Sequence, residues 1–263
     1  MSAGEPAATA PARVRQQLGR PTTVTAVVLR RSDFRESSRI VTCLSREHGR
    51  LTGLAKGAHR ADSPFLGRID FLNEVRATFS ADRGGLRLLV RADLLRERRE
   101  LRAPRRFVAA SYLAWLCDQA STDGRPEPAA FELLQGGCSL LERCPEASIA
   151  QVVLGLELRH LHAMGAVPDL DHCATCGDPL GAAAFRDAAS LGLVCRRHAG
   201  LPRLPIGDDA LTLLRALRTT AGRQWPELPA GRGLAAAAAL PALWLATALE
   251  QRSSWRRMVF ADP

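Results

Sequence analysis

Residues 22–60 read TTVTAVVLRRSDFRESSRIVTCLSREHGRLTGLAKGAHR, and this stretch decides the fold of the first part of the chain. It contains three apolar runs that are typical of β-strands, Val24–Leu29, Ile40–Leu44 and Leu51–Ala55. Basic residues lie at the ends of these runs, namely Arg30, Arg31, Arg39 and Lys56. The pattern predicts a small β-barrel whose strands end in cations, as suits a protein that holds a polyanion.

Two further segments with alternating apolar residues follow. One face of the first segment carries Val75, Ala77 and Phe79, and Phe79 is predicted to be core. One face of the second segment carries Leu86, Leu88 and Val90. Between these two segments, residues 82–85 predict a hairpin turn. The five predicted strands are Thr23–Arg30, Ser38–Ser45, Arg50–Lys56, Asn73–Phe79 and Leu86–Leu95. Five short strands with a long irregular segment after the third predict an OB-fold barrel.

That irregular segment, residues 58–70, is interpreted as too polar to enter the core. OB-folds bind single strands by contacting phosphates with cations and by stacking bases on aromatic rings. The barrel offers few rings, which are Phe34, Phe65, Phe71 and Phe79. We therefore expect binding through phosphates, with little readout of base sequence.

The charge of the chain is unevenly distributed. Residues 1–100 hold 19 Lys and Arg against 11 Asp and Glu, a net +8, whereas residues 101–263 hold 17 against 16, a net +1. Such asymmetry indicates a nucleic-acid face on the first part. The candidate DNA-binding cations lie at strand ends and in the loops that follow, and they are Arg30, Arg31, Arg35, Arg39, Lys56 and Arg60. Arg87, between Leu86 and Leu88, fits a plain solvent-facing position equally well.

After Pro104 the apolar period changes from two to 3.6, which predicts helices. Breaks at residues 124–128 and 144–145 separate the first three helices, and the helical pattern resumes at Asp208 and again at Leu234. Several Trp and Cys residues on these helices are interpreted as packing residues: Trp115, Trp244, Cys117, Cys138 and Cys144.

The interruption of the helical region contains a C-x2-C and a C-x2-H motif. The four residues are Cys173, Cys176, Cys195 and His198. Zn²⁺ prefers four tetrahedral nitrogen and sulfur ligands, and an x2 spacing lets two side chains of one turn reach one ion. The pattern predicts a structural zinc, with His172 as a competitor for the fourth position.

No catalytic signature accompanies this site. A closed four-ligand site leaves no position for water, and the chain lacks the H-x-E motif of a deaminase and the phosphate-binding and hydrolase motifs. We therefore predict a protein that is not an enzyme, with a zinc hydrolase as a remote alternative. The seven cysteines, an odd number, argue against a disulfide framework, and no secretory signal or membrane span is evident. A cytoplasmic protein is expected.

Residues 27–60, VVLRRSDFRESSRIVTCLSREHGRLTGLAKGAHR, also resemble the N-terminal signature of the RecO family of bacterial recombination mediators. The shared features are a Leu-Arg pair, a Glu-Ser-Ser-Arg-Ile-Val strand, a His-Gly-Arg turn and a Lys-Gly pair, in that order. The resemblance implies an OB-fold that binds single- and double-stranded DNA, followed by a helical domain with a zinc element. Zinc-bearing members carry four cysteines there, so His198 is a departure.

The resemblance further implies annealing of complementary strands, partnership with RecR, contact with single-strand DNA-binding protein, indirect help in loading RecA, and a place on the bacterial nucleoid. The alternative is an RNA-binding OB-fold protein with a structural zinc. The predicted domains are a disordered arm over residues 1–20, the OB-fold over 21–100, the first helical part over 101–170, the zinc insertion over 171–200 and the second helical part over 201–263. The predicted class is therefore a multidomain α+β protein.

Overall fold

The computed structural model of the chain describes residues 20–81, 86–181, 184–187, 191–231 and 233–261. The predicted N-terminal arm before Arg20 and the predicted hairpin turn at residues 82–85 lie outside the described residues. The chain divides into two compact units. The first comprises the residues up to Arg99 together with Ala120–Glu132, and the second comprises Glu100–Gln119 together with Leu133 onward.

The first unit is a closed five-stranded barrel with strand order β1-β2-β3-β5-β4. Its strands are β1 (Thr22–Phe34), β2 (Ser38–Ser45), β3 (Gly49–Ala55), β4 (Glu74–Phe79) and β5 (Arg87–Arg96). All pairings are antiparallel except β3 with β5, which pair in parallel at Gly53–Arg87 and Leu54–Leu88. The predicted OB-like barrel is confirmed, and Phe79 is fully buried in it as expected.

The segment Ala120–Glu132 belongs to the barrel unit, although the sequence analysis placed it in the helical domain. Arg50 Nε of β3 lies 2.5 Å from Asp123 Oδ1. Gly49 permits the contact, because it has a φ of +58° and a Cβ there would lie 1.8 Å from the Arg125 carbonyl oxygen. Helical periodicity gives no sign of such a long-range contact.

Strand β1 is longer than predicted and carries a bulge at Leu29, where the register with β2 shifts between Val28 and Arg30. A bulge adds one residue and reverses which side chains face the core. Beyond it, the β1–β2 hairpin continues to the pair Phe34–Ser38. The four residues Arg31–Phe34, which follow the predicted end of β1, therefore form a two-stranded ribbon with β2.

The predicted face of β5 is wrong. Leu89 and Ala92 point into the core, whereas Leu86 and Val90 are exposed. The register between β4 and β5 shifts between Thr78 and Phe79, which leaves Val90 as a bulge. Without that bulge, strict alternation would put Val90, Leu88 and Leu86 on the same inward face as Ala92, as the sequence pattern predicted. With it, Arg87 takes an inward position and is only 9% exposed, which corrects the solvent-facing interpretation.

The connection between β3 and β4 also enters the core, contrary to its interpretation as too polar. Its Phe65 and Ile69 are buried in the same cluster as Val28, Val41 and Phe79. Arg68 Nη1 donates to the Ala92 carbonyl oxygen of β5 at 3.2 Å. Sparse apolar residues among polar ones thus suffice to fix this segment to the barrel.

In the part of the chain that the structure describes, six α-helices and a small sheet follow the barrel strands. The helices are α1 (Pro104–Gln119), α2 (Pro128–Arg143), α3 (Ile149–Ala163), α4 (Asp208–Thr219), α5 (Gly233–Leu249) and α6 (Ser254–Phe260), with 3-10 turns at Arg99–Arg102, Glu146–Ser148 and Gly222–Glu227. Cys117, Cys138, Cys144 and Trp244 are buried as predicted, but Trp115 is partly exposed. None of the described helices combines the length and apolar character that crossing a bilayer requires.

Between α3 and α4, three short strands form an antiparallel sheet in the order β7-β6-β8. They are β6 (Ala184–Arg186), β7 (Leu193–Cys195) and β8 (Leu204–Ile206). Strand β7 ends in Cys195, so this sheet fixes one half of the cysteine and histidine motif.

Candidate nucleic-acid interface and metal centre

The six predicted DNA-binding cations lie on two neighbouring parts of the barrel unit. Arg30, Arg31, Arg35 and Arg39 belong to the β1–β2 hairpin, and Lys56 and Arg60 to the connection after β3. The backbone N–H of His59 donates to the Ser37 carbonyl oxygen at 3.0 Å, which joins the connection to the hairpin. The structure therefore gathers these cations around one end of the barrel.

The hairpin nevertheless separates its arginines onto two faces. Arg30 pairs in register with Thr42, and its Nε lies 3.4 Å from Thr42 Oγ1. Thr42 alternates with the core residues Val41 and Cys43, so this face is the outer one. Arg31 pairs with Val41, and it therefore lies on the opposite face of the ribbon.

Two of the cations on that opposite face are paired with carboxylates that the sequence analysis did not consider. Arg31 forms an ion pair with Asp70. Arg39 Nε lies 3.0 Å from Asp33 Oδ1, and His59 Nε2 lies 2.9 Å from the same oxygen. The Arg39 guanidinium lowers the pKa of the Asp33 carboxyl. The predicted strand ended at Arg30, so the pairing of Asp33 with Arg39 in the longer β1 had no sequence signal.

The other hairpin-end cations face solvent. Arg35, at the turn of the hairpin, has a φ of +55° and its guanidinium lies 5.3 Å from the centroid of the Phe34 ring. Lys56 and Arg60 are exposed, and neither has a carboxylate within 4.0 Å among the described residues. These side chains are available to an external anion.

Several cations elsewhere on the barrel unit lie against acidic groups. The pairs are Arg46–Glu132 at 2.9 Å, Arg50–Asp123 at 2.5 Å, Arg68–Asp93 at 3.5 Å and Arg91–Asp93 at 2.8 Å. Each carboxylate cancels charge locally. At the hairpin end, Arg35, Lys56 and Arg60 have no carboxylate within 4.0 Å among the described residues, so their positive charge stays uncompensated.

The second candidate site is the group Cys173, Cys176, Cys195 and His198. One ligand atom from each residue lies within 4.8 Å of the ligand atoms of the other three. His198 Nδ1 lies 3.4 Å from Cys195 Sγ and 3.7 Å from Cys173 Sγ. The four residues could hold a metal ion.

Backbone geometry shapes this cluster. Gly177 has a φ of +73°, and its N–H donates to the Cys173 carbonyl oxygen at 2.9 Å, which closes a tight turn. Burial acts to raise the pKa of the Cys173 thiol, but backbone N–H donors from Cys195, Cys176 and Thr175 hold it at about 5. The thiolate is the form that binds metal ions.

His172, the competing fourth ligand, is not a member of this group. Its Nδ1 lies 3.0 Å from Asp169 Oδ2, and its backbone N–H donates to Asp169 Oδ1. Asp178, the nearest acid in the sequence, forms an ion pair with Arg197. The structure therefore assembles His198 with the three cysteines and holds His172 elsewhere.

A cavity of about 430 Å³ lies in the second unit, and no pattern in the sequence indicates it. Its walls come from α1, α5 and α6 and include Tyr112, Trp115, Leu243, Arg252 and Arg257. Behind it, the buried Glu157 accepts hydrogen bonds from Tyr112 Oη and Arg256 Nε, each at 2.6 Å. Trp115, interpreted as a packing residue, thus lines a concave surface with a cationic rim.

Comparisons with known proteins cover most of the chain. Residues 20–98 match the family model described as "Recombination protein O N terminal", and residues 101–238 match "Recombination protein O C terminal". The DNA repair protein RecO of Geobacter metallireducens is 34% identical over 194 residues, covering 72% of this chain and 77% of its own. That of Anaeromyxobacter dehalogenans is 35% identical over 226 residues, covering 83% and 82%. That of Bacillus pumilus is 30% identical over 195 residues, covering 72% and 73%.

Proposed function

Since this chain belongs to the RecO family of DNA repair proteins, we propose that it is a recombination mediator that binds single- and double-stranded DNA and anneals complementary strands. The observation that carries the proposal is the group of exposed cations without a carboxylate partner at the hairpin end of the barrel, Arg35, Lys56 and Arg60. Positive charge on an OB-like barrel is the feature that tracks a phosphate backbone.

The proposed DNA-binding residues are Arg30, Arg31, Arg35, Arg39, Lys56 and Arg60. Lys56, Arg60 and Arg35 offer exposed charge, while Arg31 and Arg39 must exchange a carboxylate for a phosphate. Binding through phosphates is largely independent of base sequence, which suits a protein that must act anywhere in a genome. Annealing follows if two strands are held with their negative charge screened by these cations.

The proposal extends to protein partners through family membership. RecR would act with this protein, single-strand DNA-binding protein would be contacted on the DNA, and RecA would be loaded indirectly as a result. No catalytic step is included, and the protein would work in the cytoplasm on the nucleoid. These partners are to be tested by co-purification of the full chain with RecR and with single-strand DNA-binding protein.

We further propose that the metal is a structural Zn²⁺ bound by Cys173, Cys176, Cys195 and His198. Tetrahedral zinc, with Zn–S of about 2.3 Å and Zn–N of about 2.0 Å, separates sulfur from nitrogen ligands by about 3.5 Å. The two Sγ–Nδ1 distances of 3.4 and 3.7 Å fit that value. When bound, zinc would fasten the turn at Cys173–Gly177 to the end of β7.

The test of the main proposal is competition binding and annealing. Labelled single-stranded DNA is expected to bind the purified chain, to be displaced by unlabelled DNA of any sequence, and to anneal faster with its complement when the protein is present. Displacement by RNA of equal length at much lower concentration than DNA would contradict the proposal and favour the RNA-binding alternative.

A further inference from the structure

Phe34 differs from the other barrel phenylalanines. Phe65 and Phe79 are core residues, 5% and 0% exposed. Phe71 is partly exposed like Phe34, but it lies in the connection before β4 and not in the β1–β2 hairpin that carries the arginines. Phe34 is the last residue of β1, is partly exposed, and lies at the tip of the ribbon formed by β1 and β2. Its position among the cations of the hairpin end is not explained by packing of the barrel core.

The surface next to Phe34 is apolar. Ser32, Ile40, Leu54 and Leu88 form one row across four strands, because Ser32 pairs with Ile40, Ile40 with Leu54 and Leu54 with Leu88. The three aliphatic members of the row are each partly exposed. Phe34 follows Ser32 by two residues, so it lies on the same outer face and at the end of this row.

Cations border this apolar row. Arg30 precedes Ser32 by two residues on the same face of β1, Arg35 follows Phe34 at the turn, and the exposed Lys56 follows β3. Arg35 already lies over the Phe34 ring at 5.3 Å, so the ring takes part in a stacked contact that a planar group can extend or replace. A ring and an apolar strip between cations match a strand whose bases are unstacked and whose phosphates lie on either side.

We propose that Phe34 stacks on an unpaired base and makes this surface prefer single-stranded over duplex DNA. The inference rests on the proposed function of the barrel. Bases in a duplex are stacked on each other and present no free face, so only a single strand gains from the ring. The cations contact phosphates in both single strands and duplexes, whereas Phe34 contacts a base only in a single strand. Stacking on a ring tolerates any base, so this proposal keeps the expectation of little readout of base sequence.

The experiment compares Phe34→Ala with Phe34→Trp in the full chain. Loss of one base–aromatic stack corresponds to about 5- to 150-fold weaker single-strand binding. Phe34→Ala is expected to show that loss with duplex affinity and salt dependence unchanged, since phosphate contacts are kept. Phe34→Trp is expected to restore binding. The fluorescence of a 2-aminopurine base in the strand should change on binding by the parent and by Phe34→Trp, because the base leaves its stacked neighbours for the ring, and should change less with Phe34→Ala.

Leu66→Ala is the matched control, because Leu66 is 66% exposed on the β3–β4 connection but lies outside the apolar row. It is expected to bind both DNA forms like the parent. Equal losses for single strand and duplex in Phe34→Ala, or none, would overturn the inference. If the parent binds DNA and charge reversal at Lys56 weakens it while Phe34→Ala does not, this inference alone fails; if the parent binds no DNA, the proposed function fails with it.

Discussion

Arg39 and Asp33 face each other across the β1–β2 hairpin, with Arg39 Nε 3.0 Å from Asp33 Oδ1. The pair is solvent-accessible, and exposed ion pairs of this kind contribute little to stability. A carboxylate therefore occupies, in the free protein, the place that a phosphate would take on Arg39. Asp70 does the same for Arg31. Under the proposed function, both acids would compete with DNA phosphates for these two arginines.

Replacing Asp33 with Asn is predicted to tighten single-strand binding about two- to fivefold at low salt, the range expected for an exposed pair. It should also steepen the dependence of log affinity on log salt by up to about 0.7, because Arg39 would then carry a counterion that DNA releases. Fluorescence anisotropy over a series of salt concentrations measures both quantities.

Asp62→Asn is the matched control for this prediction. Asp62 is exposed on the β3–β4 connection and makes no ion pair with a candidate cation among the described residues. The Asp62→Asn substitution removes one negative charge, as Asp33→Asn does, but it frees no arginine from an ion pair. If Asp33→Asn and Asp62→Asn behave alike, the gain is a general effect of charge and Asp33 does not compete for Arg39.

Charge reversal at Lys56 and Arg39 tests the proposed face itself. Lys56→Glu combined with Arg39→Glu is predicted to weaken binding to all DNA sequences alike and to slow annealing. The salt slope should fall by about 0.7 for Lys56, and by less for Arg39 because Asp33 already compensates its charge. Arg46→Glu with Arg91→Glu changes the charge equally at two cations already paired with carboxylates, and it should have a much smaller effect. Parental affinity and slope in the first double variant would exclude this face.

Much of the fold follows from local signals. Alternating Val, Ala and Leu in β1 to β4 define strands because they bury one face, and the C-x2-C and C-x2-H spacings bring four ligands to one place. The family resemblance in residues 27–60 agrees with both. These signals involve residues close together in the sequence, so the period of apolar residues and the spacing of the motifs are enough to detect them.

The errors arose where distant residues decide. Bulges at Leu29 and Val90 change which side chains of their strands face the core, and no local pattern marks them. Asp70 is nearly forty residues from Arg31, so its ion pair follows only from the closed barrel. Phe65 and Ile69 became core because the β3–β4 connection packs against the barrel. The ion pairs that offset part of the charge at the candidate site could therefore not be predicted from local sequence.

His160 predicts acid sensitivity of the helical unit. It is 4% exposed, its Nε2 has no hydrogen-bond partner among the described residues, and burial lowers its pKa to about 4. The unfolded chain takes up the proton near pH 6.5, so stability is complete above that pH and is lost as pH falls from about 6.5 to about 4, by roughly 3 kcal/mol in total. The melting temperature of His160→Leu should fall less than that of the parent when the pH is lowered from 7.5 to 4.5.

His162→Leu serves as the matched variant, since His162 is exposed on the same helix. It should keep the parent's acid sensitivity. Identical loss of melting temperature in the parent and in His160→Leu would mean that the His160 ring is already protonated or solvated in the fold.

The metal centre yields the last prediction, which concerns stoichiometry and the fourth ligand. The purified chain is expected to contain about one zinc per molecule by elemental analysis. Cys176→Ser should lose most of it and lower the melting temperature by more than about 5 °C, because structural zinc contributes folding free energy directly. DNA affinity should persist, since the proposed contacts lie in the barrel unit. A metal-free parent that melts like Cys176→Ser would refute the site.

Two histidine variants then identify the fourth ligand. His198 Nδ1 lies 3.4 Å from Cys195 Sγ, whereas His172 Nδ1 lies 3.0 Å from an Asp169 carboxylate oxygen. His198→Ala should therefore lose zinc as Cys176→Ser does, and His172→Ala should retain it. His198→Cys should also retain zinc, because a fourth thiolate fits the same tetrahedral preference. Zinc loss in His172→Ala with retention in His198→Ala would reverse the assignment and require the turn at Asp169–Cys173 to rearrange.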